Sequence, residues 1–226
     1  NLVNIKEIAR SNYILSFHFK KGEFMIERIL LKRFIKYTLF ILFLFIFTGC
    51  THKISIAPDV TTISGKGNQN KSNFNVAYIL SKDKENLYIV TSGGGGDSVG
   101  YYPYKDTESS FRAVLNNLFN KIYKLDSFPN NDFIENNNIK YVFQYEIETH
   151  SSSDSSFTWP PTNFVVNLKV TVKDQNNRLH WEDAIDGQGY ASFSEFKTDF
   201  GLAGKKAVTN ALNNLYFKIK TSKEFQ

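Results

Sequence analysis

Residues 163–173 alternate between apolar and polar side chains without a break, and this pattern constrains the fold of the 226-residue chain more than any other feature. The apolar side chains fall at every second position: Phe164, Val166, Leu168, Val170 and Val172. Successive side chains of a strand point to opposite faces, so this segment predicts a strand with one apolar and one polar face. Such a strand belongs to a sheet with one buried and one solvated side.

The same period of two predicts four further strand regions: residues 74–80, a hairpin of 87–91 with 99–104, 141–149 and 179–193. Gly187 and Gly189 lie inside the last of these, and they predict a bend or bulge there. Asp174 to Asn177 is a predicted turn, because Asp and Asn form turns through their own side chains.

Two segments repeat their apolar residues at helical spacing, about residues 106–125 and 200–220. Asp106 is the predicted N-cap of the first helix. Each predicted strand has one apolar face, which two amphipathic helices can cover. The order of elements therefore predicts an α+β fold, with two layers and an antiparallel sheet of about four to six strands covered on one face by the two helices.

The N-terminal part of the chain predicts a secretory signal peptide over residues 25–49. Met25 opens a basic segment, and an apolar run from Leu39 to Phe47 follows it. This run is too short for a membrane span, which needs about 20 residues. Since Met25 is the only Met, we expect residues 1–24 to be an upstream extension from a wrongly assigned gene start. The alternative is an unusually long basic region.

Cys50 follows the apolar run directly and is the only Cys in the chain. It cannot form an internal disulfide. Phe47, Thr48 and Gly49 before it resemble the bacterial lipobox, although Phe47 stands where Leu is usual. In such precursors the Cys is acylated and cleavage occurs just before it. Two or three acyl chains hold a protein firmly on a bilayer. The resemblance thus implies lipidation of Cys50 and a lipid-bilayer partner.

The predicted domain organisation follows from this processing site. Residues 50–72 are mostly polar and predict a tether between the lipid and the domain. Residues 73–226 form the predicted α+β periplasmic domain. Residue 51 is Thr and not Asp, which by resemblance to enterobacterial sorting places the protein in the cell envelope, anchored to the outer membrane and facing the periplasm.

The charge distribution argues against a nucleic-acid partner. Residues 1–49 carry eight Lys/Arg and three Asp/Glu, whereas residues 50–226 carry 19 of each and sum to zero. A nucleic-acid binder needs basic charge on its folded body. All of the net charge of +5 lies in the segment that we expect to be removed.

The sequence offers no recognisable catalytic or metal-binding motif. Gly93 to Gly96 form a glycine-rich stretch, but no Lys follows as in a phosphate-binding loop. His52, His150 and His180 are scattered and lack ligand spacing. We therefore predict no cofactor, no metal and no enzymatic activity.

An aromatic loop, Phe157-Thr158-Trp159-Pro160-Pro161, is a candidate contact surface. Trp beside two prolines is stiff and amphipathic, as in surfaces that bind a protein or glycan partner. Tyr101 and Tyr102 are candidates for the same surface. The alternative is that these aromatic side chains fold back over the edge of the sheet.

Taken together, the segments resemble the YajG-like lipoproteins of Gram-negative bacteria. The resemblance rests on Cys50, the strand around Asn75 to Ala77, the central helix, the three strands and the C-terminal helix with Ala207 to Leu215. Gly93 to Asp97, Tyr102 to Asp106 and Ser151 to Pro161 are similar to a related group of uncharacterised lipoproteins. The resemblance implies an envelope lipoprotein without an established catalytic activity.

The leading hypothesis is a lipid-anchored envelope protein with a non-enzymatic binding or scaffolding domain. Two alternatives stay open. One is an accessory subunit of an envelope transport or appendage assembly machine, docking through an edge strand or the aromatic loop. The other is a periplasmic hydrolase with an unrecognised site, which would need a deep pocket with converging polar residues.

Overall fold

A computed structural model of the chain describes residues 33–40, 50–65, 71–155 and 159–226. The chain divides into two compact units, residues 1–48 and 49–226. In the first unit, residues 33–40 form a helix with exposed side chains. Among the described residues, none of the helices is both long and apolar enough to cross a membrane.

The second unit contains strands and helices in an α+β arrangement, as predicted. Its strands are β1 (Thr51–Lys53), β2 (Ser72–Ile79), β3 (Ile89–Ser92), β4 (Ser98–Tyr101), β5 (Phe119–Leu125), β6 (Ile139–Ser152), β7 (Asn163–Asp174) and β8 (Leu179–Tyr190). Its α-helices are α1 (Lys82–Glu85), α2 (Pro103–Leu118), α3 (Asn131–Asn136), α4 (Phe193–Phe196) and α5 (Leu202–Thr221).

The strands form two sheets, and the expectation of one antiparallel sheet is wrong. The smaller sheet has the order β1-β4-β3 and the larger β5-β2-β6-β7-β8. Strand β2 pairs in parallel with both β5 and β6, and β1 pairs in parallel with β4. Parallel neighbours need a crossover connection, and the β2–β5 connection contains the long helix α2.

Strand β2 lies inside the larger sheet, between β5 and β6, and is covered on both faces. Val76, Ala77 and Tyr78 are consecutive and all fully buried, which is typical of strands in parallel pairs. Ala77 belongs to a second small apolar cluster that includes Ile134 of α3. The sheet face that the sequence predicts to be solvated is therefore partly covered.

The three strands β6, β7 and β8 form the antiparallel meander that the alternation predicts. The Asp174 turn is confirmed, because its carboxylate accepts hydrogen bonds from the amides of Asn176 and Arg178 at 2.9 Å. The predicted bulge near Gly187 and Gly189 is wrong. The register shifts instead between Val172 and Lys173.

Helix α2 is shorter than the sequence predicts and begins earlier. It starts at Pro103, whose missing N–H costs nothing at the first turn of a helix. The N-cap is Tyr102, without a side-chain hydrogen bond, and not Asp106. The carboxylate of Asp106 accepts instead from the amide of Ile56 at 2.9 Å. After Leu118 the chain continues directly as β5, where the sequence predicts helix to residue 125.

The segment predicted to be a tether is part of the domain as far as residue 65. Strand β1 pairs with β4, and the amide of Ile54 donates to the carbonyl of Gly100 at 3.0 Å. Ile54, Ile56 and Ile63 are all buried in the main core. These three apolar side chains explain why the otherwise polar segment packs on the domain, because their burial is favourable. Residues 66–70 lie outside the described residues.

Helix α5 contacts β7, β8 and α2, and it approaches β8 very closely. A Cβ atom on Gly187 would lie 2.2 Å from the carbonyl oxygen of Ala207, and one on Gly189 would lie 2.0 Å from that of Ala203. No real Cβ atom tolerates such distances. The two glycines are therefore needed because the helix backbone lies where their side chains would be.

We expect Gly187→Ala and Gly189→Ala each to destabilise the domain by about 1–3 kcal/mol, because α5 must move away from β8. Gln188→Ala is the matched control, since its exposed side chain lies between them and its loss should cost less than about 0.5 kcal/mol. Urea denaturation of the three variants measures the difference. Equal free energies of unfolding would contradict the close-contact explanation.

Candidate functional site

Cys50 is exposed and lies directly at the edge of the folded unit. Its amide donates to Asp97 Oδ1 at 2.8 Å. Its carbonyl oxygen accepts from the amide of Ser98 at 2.9 Å, and β1 begins at the next residue. The backbone of Cys50 is thus fixed to the loop before β4, while its side chain is accessible to solvent.

The Asp97 carboxylate also contacts a side chain of strand β1, that of His52. Its Oδ2 lies 2.9 Å from Nε2 of His52. The hydrogen bond with His52, and then the one from the Cys50 amide, hold the pKa of the Asp97 carboxyl below its ordinary value of 3.8. One carboxylate therefore binds two of the first three residues after the predicted cleavage site.

A stack of aromatic rings continues from His52 across this end of the domain. The His52 ring lies on Trp159, with centroids 4.0 Å apart and planes 20° apart. Trp159 in turn contacts Phe200, with centroids 4.7 Å apart. Trp159 is half-buried against the core, and Phe200 is 46% exposed. The stack connects the first strand to the loop before β7 and the segment before α5.

The glycine-rich stretch supports Trp159. The amide of Gly94 donates to the Trp159 carbonyl oxygen at 2.9 Å. A Cβ atom on Gly93 would lie 2.3 Å from the same oxygen, so only glycine fits there. Gly95 and Gly96 have φ values of 65° and 85°, which favour glycine. The stretch closes the β3–β4 hairpin, as predicted, and also holds the aromatic loop.

The residues of the predicted aromatic surface have different surroundings. Tyr101 is fully buried, and its hydroxyl bonds with Thr149 at 2.7 Å; its ring belongs to the core and is not accessible to a partner. Pro160 and Pro161 are buried as well. Tyr102 is half-buried beside Tyr88, with ring centroids 5.0 Å apart. Among the described residues of this predicted surface, Trp159 is the one whose ring stacks on His52, two residues after Cys50.

Phe157 and the lipobox residues Phe47, Thr48 and Gly49 lie outside the described residues. Sequence reasoning did not find His52, Asp97 and Phe200 as members of the site. His52 stands only two positions after Cys50, which is a local signal, but Asp97 and Phe200 are brought to it only by the folded chain.

A groove of about 800 Å³ lies between the segment after β1 and helix α5. Apolar, amide and hydroxyl side chains line it, including Pro58, Thr62, Leu202 and Asn210. Its lysines are paired with acids: Lys205 with Asp199 at 2.8 Å and Lys206 with Glu195 at 2.7 Å. Lys206 and the capping hydrogen bonds from Ser192 lower the pKa of Glu195 to about 2.

The scattered histidines do not form a metal site in the part of the chain that the structure describes. No group of three or more His, Cys, Asp or Glu side chains converges there. His180 stacks on Tyr141 at 4.4 Å, and its Nε2 lies 3.0 Å from the carbonyl oxygen of Glu224. His150 is exposed on β6.

The sequence matches no protein-family model and no curated protein. Among solved structures, the chain is similar to a Xanthomonas campestris protein of the family DUF330, with a TM-score of 0.43 and 12% identity over 73% of this chain and 89% of that one.

It is also similar to an uncharacterised protein (TM-score 0.40, 7% identity, 76% and 99% coverage) and to a PelC dodecamer from Paraburkholderia phytofirmans (TM-score 0.33, 12% identity, 64% and 89% coverage). Each TM-score lies below 0.5, so we build the functional proposal on this chain's own residues. The resemblance to YajG-like lipoproteins stays a prediction.

Two buried tyrosines of the core, Tyr101 and Tyr145, should respond differently to loss of the hydroxyl. Tyr101→Phe removes the hydrogen bond with Thr149 and should cost about 1–2 kcal/mol. The hydroxyl of Tyr145 has no hydrogen-bond partner among the described residues, so Tyr145→Phe should leave stability unchanged or raise it. Thermal unfolding compares the two variants. A larger loss in Tyr145→Phe than in Tyr101→Phe would disprove this assignment.

The Asp97 carboxylate should stabilise the first strand in a pH-dependent way. Its pKa is lowered in the folded protein, so its contribution is present above the ordinary Asp pKa of 3.8 and is lost as the pH falls through the lower folded value. Wild-type protein should therefore lose more stability over that acid range than Asp97→Asn. Urea denaturation at a series of pH values checks this, and identical pH profiles would contradict it.

Proposed function

We propose that this protein is a bacterial cell-envelope lipoprotein, anchored through acylated Cys50 in the outer membrane and facing the periplasm. Its folded domain is a non-enzymatic binding or scaffolding module. The single observation that supports the proposal is a coincidence of positions: the predicted cleavage site directly precedes Cys50, and the first strand of the folded unit begins one residue after Cys50. Cleavage there would release the whole folded domain without cutting into it.

The surroundings of Cys50 are compatible with each chemical step of lipidation. The sulfur belongs to an exposed residue, so an attached lipid can leave the domain without crossing its core. Acylation of the new amine gives an amide that still carries one N–H. That N–H can keep its hydrogen bond to Asp97, so the modified residue fits the same place.

The groove beside α5 supports a binding role for the domain. Its lining combines apolar patches with amide and hydroxyl groups, a mixture that suits a peptide or glycan of the envelope. Both of its lysines are held in ion pairs at 2.8 Å or less. An envelope protein or glycan is therefore the proposed partner.

The test compares the full chain with Cys50→Ala, expressed in a Gram-negative host. We expect wild-type protein in the membrane fraction, with an intact mass that begins at residue 50 and exceeds the polypeptide mass by its acyl chains. Cys50→Ala should lack the acyl mass and keep residues 25–49 uncleaved, because cleavage in such precursors follows acylation of the Cys. Thr51→Ala is the matched control, because residue 51 is exposed next to Cys50, and it should behave as wild type.

An unmodified thiol on wild-type protein would overturn the proposed function. So would a Cys50→Ala protein that keeps the added mass. Both results are read directly from the mass spectrum of the extracted protein.

A further inference from the structure

We infer that the end of the domain that carries Cys50 lies directly on the bilayer, with the exposed rings of Tyr190, Phe193 and Phe200 inserted at the level of the lipid headgroups. This rests on the proposed lipidation of Cys50. It assigns the orientation of the domain and a lipid-contacting surface, the aromatic end, which is defined by these three residues together with Trp159.

No free linker would separate the lipid on Cys50 from the folded domain. A flexible linker of even ten residues would let a domain move about 15–20 Å from its anchor. Here the backbone of Cys50 itself is fixed by hydrogen bonds on both its amide and its carbonyl. The lipid is therefore attached at the surface of the domain, and that surface must stay beside the bilayer.

Three exposed aromatic side chains lie on segments that meet the aromatic loop at this end: Tyr190, Phe193 and Phe200. The Phe200 ring contacts Trp159, and Trp159 in turn stacks on His52. Tyr190 ends β8, where the next amide, of Ala191, donates to the carbonyl of Thr162 at the end of the aromatic loop. Tyr190 is 54% exposed and Phe193 59% exposed. These large rings face water unless something covers them.

A membrane interface is the surrounding that suits these exposed rings. Aromatic side chains are favoured at membrane interfaces, where an apolar ring meets lipid and polar groups stay wet. The Lys197 ammonium lies 5.3 Å from the centre of the Phe193 ring, as a lysine can when its apolar stem follows a ring to the interface.

The charges at this end favour apolar contact over electrostatic attraction. Lys205 and Lys206 are neutralised by Asp199 and Glu195. Among the lysines named here, Lys197 is the one without an ion pair in the described part of the chain, whereas adsorption driven by anionic lipids needs a cluster of about four to eight basic residues. Insertion of the rings should therefore be largely independent of salt and should not require anionic lipid.

The two native tryptophans allow a sharp test on the full acylated chain. Trp159 and Trp181 are each changed to Phe, and one new Trp is introduced as Phe200→Trp or, in a second protein, Phe193→Trp. The matched control is Leu179→Trp, because Leu179 is 65% exposed at the opposite end of β8, about 35 Å from Tyr190 at roughly 3.3 Å per residue. Circular dichroism confirms that each variant is folded.

Each protein is incorporated into phosphatidylcholine vesicles whose acyl chains carry bromine near the headgroup, and quenching of Trp fluorescence is measured. We expect quenching at positions 200 and 193 to be several times that at position 179, and unchanged at high salt. Equal quenching at the three positions would overturn the inference. So would crosslinks from position 200 to another protein in cells in place of lipid.

Acylation and vesicle flotation of each sample are measured first, which separates the two proposals. An acylated, floating protein with equal quenching refutes the orientation and leaves the lipoprotein function intact. A protein that is not acylated refutes the lipoprotein function and this inference with it.

Discussion

The close packing of helix α5 on its neighbours holds the domain together. On one side its backbone lies against Gly187 and Gly189 of β8. On another side Gly204 leaves room for Ile56, since a Cβ atom there would lie 2.4 Å from the Cγ2 atom of that side chain. The same helix therefore fixes both the last strand of the meander and the segment that follows Cys50. Small residues make these contacts possible, because interiors are close-packed and leave no space for larger ones.

Elements with a full period of either two or 3.6 residues could be predicted from the sequence. The meander of β6, β7 and β8 and the helix α5 follow their apolar patterns closely. The β3–β4 hairpin is also confirmed, because glycines mark its turn. In the meander and the helix, apolar residues recur at regular spacing over many positions, and these same residues are the ones buried in the fold.

Other features depend on contacts that a local pattern does not contain. Ile122 and Leu125 continue the helical spacing of α2 by coincidence, yet they lie in β5, and no Gly or Pro marks the change after Leu118. The parallel pairing of β2 is invisible in its own alternation. In the candidate site Cys50 contacts Asp97, which lies 47 residues later in the chain. Neither residue belongs to a repeating apolar pattern, so the sequence does not indicate that they are close in the fold. From the sequence the glycines of β8 predict a bend or bulge, whereas the structure shows that a helix backbone from another part of the chain lies where their side chains would be.

The ring of Phe225 packs into the main core against residues that lie much earlier in the chain. Phe225 is buried and contacts Phe119, Tyr141 and Phe143, with ring centroids 5.4–6.1 Å apart. These three rings precede Phe225 by 82 to 106 residues in the chain. Non-local contacts of this kind form late and slowly in folding. The part of the core around Phe225 should therefore be among the last parts of the domain to pack.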